Sequence, residues 1–170
     1  MFIGAGRVAV NLSLALTARG FRVNQVCNRS EEKGVRLANK VNAGYIPDPA
    51  MIDTGAGMII IAVADDAIPE VCRQMGRRDA IVVRTSGSQH LNVLKDASGH
   101  HGVLYPLQTF GGNAPVDFRE VPVFLEASDE NALQTITMVA RTISDRVLEM
   151  DRSEERRVGK ECRSRVSPEH

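Results

Sequence analysis

Phe2-Ile3-Gly4-Ala5-Gly6-Arg7-Val8-Ala9 opens the chain with two β-forming apolar residues that run straight into Gly-x-Gly-x-x-Ala. Val8, Leu12 and Leu16 then recur every fourth residue, giving one apolar helical stripe that ends at Gly20. Each small residue has its own task. Gly4 permits a tight turn, Gly6 lets the backbone approach a bound group with no Cβ in the way, and Ala9 lets the helix pack close to the strand. The first helical N–H groups would point out of such a turn, where the helix dipole favours a negatively charged group such as a pyrophosphate.

Outward from this turn, the pattern alternates. Residues 21–27 read as a second strand, and Ser30 caps a helix running to about Val41. A short strand is expected near residues 43–46. Residues 58–63, MIIIAV, are continuously apolar and β-branched, as in a parallel strand buried on both faces. Asp66 is expected to cap the next helix, with Pro69 in its first turn and Ile68, Val71, Cys72 and Met75 as its stripe. Strands follow at 80–85, 102–105 and 121–125. Asp129 caps a last helix with Leu133, Ile136, Val139, Ala140 and Ile143 inward, and residues 147–150 close the pattern. The expected fold class is α/β: a Rossmann-type, mostly parallel sheet with right-handed crossovers and helices on both faces, in one domain over residues 1–151.

Residues 152–170, RSEERRVGKECRSRVSPEH, carry almost no apolar side chains. Such a stretch cannot bury enough surface to offset ordering entropy. It also resembles translated adapter or vector sequence, so it is expected to be a disordered, non-native tail; the alternative is a native basic tail with a binding partner.

Composition narrows the function classes. The 170 residues carry 21 basic and 21 acidic side chains, which gives no general attraction to nucleic acid or anionic membrane. Aromatic residues make up 4% with no Trp, too few for a single-strand stacking platform. The longest apolar run is far too short to span a bilayer, and no signal peptide is evident. Cys27, Cys72 and Cys162 are odd in number and widely spaced, which indicates neither a disulfide framework nor a zinc site. A reducing cytoplasm is the expected compartment. His90, His100 and His101 read as surface histidines, no metal site is expected, and no Ser or Cys stands out as an activated nucleophile.

With a strand before it and a helix after it, the glycine turn points to dinucleotide binding; S-adenosylmethionine (SAM) on a related sheet is the alternative. An NAD site usually ends its second strand with a carboxylate, which takes the ribose hydroxyls. Here Asn28-Arg29-Ser30 stands at that point. A carboxylate would repel the 2′-phosphate of NADP, whereas Arg29 can hold it by charge-assisted hydrogen bonds, with Asn28 and Ser30 adding donors. The competing reading makes Arg29 a solvated loop residue and Ser30 only a cap. Ala62, Val63 and Ala64 are expected to pass the adenosine side, and Thr85 to lie near the nicotinamide. Ser86, Tyr105 and Gln108 are the candidate substrate pocket; the catalytic residues stay open.

FIGAGRVA, NRS, IIIAVADDAI, VVRTSGS, GVLYPLQTF and VPVFLEA follow one another over residues 2–127. In these strings the chain resembles bacterial proteins that join a Rossmann-like domain to a DUF2520 domain. Those proteins are relatives of pyrroline-5-carboxylate reductase and the coenzyme F420-dependent NADP oxidoreductases. The TSGS and YPLQTF strings are the more specific part. The resemblance implies NADP(H) held through Gly4, Gly6, Arg7 and Val8, with Asn28, Arg29 and Ser30 on the 2′-phosphate. It also implies a following all-helical domain that completes the substrate cleft and supports a homodimer. The resemblance reaches about Asp151, and both ends of the chain read as cropped. The expected function is the cofactor half of an oxidoreductase acting on a small imine, carbonyl or hydroxy compound, inactive as this fragment. A non-catalytic nucleotide sensor or partner module is the alternative.

Overall fold

The computed structural model describes residues 1–112 and 116–150. The expected tail at 152–170, with Cys162, lies outside them. Eight strands form one sheet in the order β3-β2-β1-β4-β5-β6-β7-β8. β1 (Phe2–Ile3) sits between β2 (Gln25–Cys27) and β4 (Met58–Ile61), and β3 (Gly44–Ile46) forms one edge. β5 (Ile81–Arg84), β6 (His101–Pro106), β7 (Val123–Ala127) and β8 (Val147–Glu149) complete the other side. Four helices connect them: α1 (Arg7–Ala18), α2 (Glu31–Lys40), α3 (Ile68–Met75) and α4 (Glu130–Ile143).

Alternation along each strand sorts the core into two layers. Phe2, Val26, Ile60, Val83 and Leu104 pack with α1 and α4 residues such as Leu12, Leu16, Ile136 and Ile143. Ile3, Cys27, Ile59, Ile61 and Val82 face the other way, against Ile68, Cys72 and Met75 of α3. This explains why β4 reads as an unbroken apolar run: both of its faces are covered. The sheet is parallel from β3 to β6, as expected, and β7 alone runs antiparallel to its neighbour β6. A parallel return needs a crossover helix, but only a loop and a short 3-10 turn at Phe118–Glu120 join β6 to β7. α4 then supplies a crossover, and β8 lies parallel to β7.

The expected stop of α1 is met. Gly20 takes φ +90°, and the N–H groups of Gly20 and Phe21 donate to Thr17 O and Leu16 O, both at 3.1 Å. Three expectations need correction. The second strand covers only Gln25–Cys27, because the register with β1 and β3 begins at Val26 and Gln25 and leaves residues 21–24 without a full ladder. The strand expected at 121–125 lies at Val123–Ala127, since Pro122 has no N–H to give and Val121 belongs to the preceding turn. Asp66 does not cap α3. Asp65–Ala67 form a 3-10 turn, and the cap position is Ala67, with no side-chain cap.

Asp129 does cap α4. Its Oδ1 accepts from Ala132 N–H at 2.9 Å, and Oδ2 accepts from Ser128 Oγ at 2.8 Å and meets His100 Nδ1 at 2.9 Å. The Ala132 N–H above all, with His100 and Ser128, holds its carboxyl down at about 2. A depressed folded-state value means stability that is present above the ordinary carboxylate range and lost as pH falls toward 2. Asp129→Ala should therefore cost about 1 kcal/mol at neutral pH, or roughly 3 °C in Tm for a domain of this size. The deficit against the unaltered chain should shrink as thermal melts are taken from pH 6 to pH 2. A deficit that stays constant would rule out the charged cap as its source.

Candidate functional site

The strand order reverses between β1 and β4, and the crevice beyond the carboxyl ends of the strands opens there. Gly4 sits at this point with φ +108°, a conformation that L side chains rarely adopt. Its N–H donates to Cys27 O at 2.8 Å. A Cβ on Gly4 would lie 2.2 Å from Ala62 O, so the turn exists only with glycine. Gly6 differs. It occupies the N-cap of α1 in an extended conformation with no side-chain cap, and a Cβ there would meet nothing within 4 Å. The space above Gly6 is open, and no side-chain cap closes the start of α1 at Arg7 and Val8. Ala9 is fully buried against the sheet.

At the end of β2, the turn from Asn28 to Ser30 is fixed by its own side chains and by β3. Asn28 Nδ2 donates to Ser30 O at 2.9 Å, Tyr45 Oη donates to Asn28 O at 2.9 Å, and Asn28 N–H donates to Ile46 O at 3.3 Å. Ser30 Oγ accepts from Lys33 N–H as the cap of α2. Arg29 is exposed and lines a cavity of about 370 Å³ together with Gly4, Cys27, Val63, Ala67 and Val71. The carboxylates on its wall are otherwise engaged: Asp48 accepts from Ala50 N–H at 2.8 Å, and Glu70 pairs with Arg73. A second cavity, on the other side of the turn, holds Gly6, Arg7, Lys33, Arg36 and Lys40. Sequence reading missed Lys33, Arg36 and Lys40. Their spacing of three and four residues along α2, just after Arg29, was the available signal.

The loop after β4 bounds two sites at once. Val63 lines the Arg29 cavity, whereas Asp65 lines a third cavity of about 580 Å³ with Ser86, Gly87, Ser88, Tyr105, Leu107, Phe124 and Met150. Asp65 accepts hydrogen bonds from the hydroxyls of both Ser86 and Ser88. These two bonds, Ser86 first, and the charge of Arg84 keep its carboxyl below the usual range. Arg84 ends β5 fully buried at 1% exposure, and its Nη1 donates to Ser86 O. Gln89 Nε2 donates to Asp65 O at 2.7 Å. Asp65, Arg84 and Ser88 were not singled out from sequence; a charged residue closing the apolar run IVVR was the clue.

Of the candidate pocket residues, Ser86 and Tyr105 come together in this cavity, and the ring of Tyr105 lies over Gly87. Gln108 does not line it and stands exposed on the following loop. Thr85, at 8% exposure, is held by its N–H to Ile61 O at 3.2 Å. One histidine corrects the surface reading. His90 and His100 lie at the surface, but His101 is buried at 7%, with Nδ1 2.9 Å from Ser98 O. Burial pushes the Cys27 and Cys72 thiols up to about 11, which suits packing and not nucleophilic attack. Among the described residues no cluster of His, Cys, Asp or Glu could hold a metal ion, and no helix is long and apolar enough to cross a membrane.

A mostly parallel sheet of this order, with a glycine turn at its switch point, defines a Rossmann-fold, NAD(P)-binding, oxidoreductase-like domain. The chain belongs to the family of coenzyme F420-dependent NADP oxidoreductases, whose pattern matches residues 1–87. A Bacteroides fragilis protein described as an NADP oxidoreductase is 37% identical, with a TM-score of 0.85 over 97% of this chain and 64% of its own. A Thermotoga maritima protein (18% identical, TM-score 0.74, 93% of this chain and 60% of its own) shares the fold. So does a pyrroline-5-carboxylate reductase from Coxiella burnetii (21%, 0.71, 88% and 57%). The chain thus spans under two thirds of the length of these relatives. No curated protein matches it.

The two glycines should respond in opposite ways to the same substitution. Gly4→Ala should cost at least about 1–3 kcal/mol from backbone strain alone, with the clash on Ala62 O added. Gly6→Ala should cost under about 1 kcal/mol, the penalty of a poorer cap, yet weaken binding of any dinucleotide in the crevice. Urea unfolding, run beside NADPH titration, separates the two. Equal losses of stability would contradict the geometry.

Proposed function

We propose that this chain is the NADP(H)-binding domain of an oxidoreductase acting on a small imine, carbonyl or hydroxy compound. The observation that carries this reading is the pairing of an open glycine turn with Arg29 on the wall of the neighbouring cavity, at a β2 end that lacks a carboxylate. The backbone of Gly4, Gly6, Arg7 and Val8 would hold the pyrophosphate at the start of α1. Arg29, Asn28 and Ser30 would take the 2′-phosphate, with Lys33 adding charge from the adjacent turn of α2. Ala62, Val63 and Ala64 would bound the adenosine, in a recess whose walls include Val63, Ala67 and Val71. Thr85 would border the nicotinamide. When bound, NADP(H) supplies or accepts the hydride. The work of the chain is to orient the cofactor toward the cavity of Ser86 and Tyr105 and to keep water from that side.

The chain covers 64% of the Bacteroides fragilis protein, and on this reading the rest of the whole protein completes the cleft and supports a homodimer. Under this reading the 170 residues alone bind cofactor weakly and turn over no substrate.

Calorimetric titration with NADPH, NADH and S-adenosylhomocysteine tests the assignment. NADPH should bind best. Arg29→Glu should weaken NADPH at least about tenfold more than NADH, since each charge-assisted bond is worth about 1.5–3 kcal/mol. Equal losses for both nucleotides would remove Arg29 from the phosphate. Binding of adenosylhomocysteine without NADPH would overturn the cofactor itself.

A further inference from the structure

We infer that the cavity at the ends of β5 and β6 accepts a cationic nitrogen group, a protonated amine or iminium, in preference to a carboxylate or other anion. The inference rests on the proposal that this cavity takes the substrate, and it narrows the substrate class. It follows from counting protons. A serine hydroxyl has one proton to donate and two lone pairs to offer. Ser86 and Ser88 both commit that proton to the carboxylate of Asp65. Neither hydroxyl then has a donor left for a ligand, and what they present to the cavity is oxygen lone pairs. Ser86 Oγ already accepts from Arg84 Nη1 at 3.3 Å, so the less encumbered acceptor is Ser88.

The charges on the wall agree. Asp65 lines the cavity. Arg84, its electrostatic partner, does not: the guanidinium is buried behind the β5 turn and directed at Ser86 O. Among the described residues the only other ionisable group on the wall is the phenol of Tyr105. Among the described residues, a ligand here therefore meets one carboxylate, two serine acceptor oxygens and the Tyr105 hydroxyl, and no cationic side chain. The remaining wall of Leu107, Phe124, Met150 and the Tyr105 ring suits the hydrocarbon body of a small amine. A carboxylate in the same place would lie against Asp65 with no cationic side chain among the described lining residues to offset it, and the Tyr105 hydroxyl as the one side-chain donor there, an arrangement that like-charge juxtaposition penalises.

The test uses two probes of one shape and opposite charge, cyclopentylammonium chloride and sodium cyclopentanecarboxylate. Binding is read from the amide resonances of Ser86, Gly87 and Ser88 in the 170-residue chain. The ammonium should bind at least about tenfold more tightly, as expected for opposite against like charge a few ångströms from a carboxylate in a partly desolvated cleft. Asp65→Asn should abolish that preference. Ser88→Ala, an exposed position that the fold tolerates, should weaken the ammonium alone and leave the carboxylate unchanged. Equal affinities, a preference for the carboxylate, no response of these amides to either probe, or a preference that survives Asp65→Asn would each overturn the inference. The NADPH titration is scored separately. Lost charge preference with intact NADPH binding refutes this inference alone, whereas retained preference without NADPH binding refutes the cofactor reading alone.

Discussion

Everything in this domain is arranged around one close approach: the backbone of Gly4 against the carbonyl of Ala62. A two-residue strand ends, and the chain must turn within one residue to launch α1 while the neighbouring β4 also ends. There is room for a hydrogen on Gly4 and for nothing larger. That contact sets where α1 begins, at a start that no side chain caps. It also fixes the loop after β4, because Ala62 N–H is held by Ile3 O at 2.7 Å. The crevice is what remains between these two strand ends.

The loop that leaves Ala62 divides the carboxyl edge of the sheet. Within three residues it offers Val63 to the cavity beside β2 and Asp65 to the cavity beside β5. One side is a recess with the exposed Arg29 on its wall. The other is a partly apolar chamber whose polar floor is a carboxylate bridged by two hydroxyls. The contrast comes from where the buried charge points. Arg84 faces inward to its own turn, which leaves Asp65 to set the field on the open side.

Much of this was legible in the sequence, and the reasons are specific. The β4 run announced a strand covered on both faces. Gly20 marked a helix stop with a left-handed conformation to match, and Ser30 and Asp129 announced caps that the structure bears out. Gly4 and Gly6 were placed correctly at a strand-to-helix turn. What escaped were features set by neighbours and not by local pattern. Residues 21–24 look like strand but have no ladder. Pro122 delayed β7. Asp66 looked like a cap, but the chain makes a 3-10 turn first and its neighbour Asp65 is drawn across to the serines after β5. That bridge joins residues 21 and 23 positions apart, a separation at which no periodicity can speak. His101 follows the same logic: it sits in a polar stretch but opens a strand deep in the sheet.

The turn after β2 separates scaffold from contact. Its main chain is clamped from β3, through Tyr45 to the Asn28 carbonyl and through the Ile46 carbonyl to the Asn28 amide, and Gly34 leaves the tyrosine ring the room it needs, since a Cβ there would overlap it. Arg29 takes no part in that clamp. Its side chain can be exchanged for another without disturbing the frame that presents it, so on the proposed NADP(H) reading nucleotide preference at this corner is free to drift across a lineage while the architecture stays as it is.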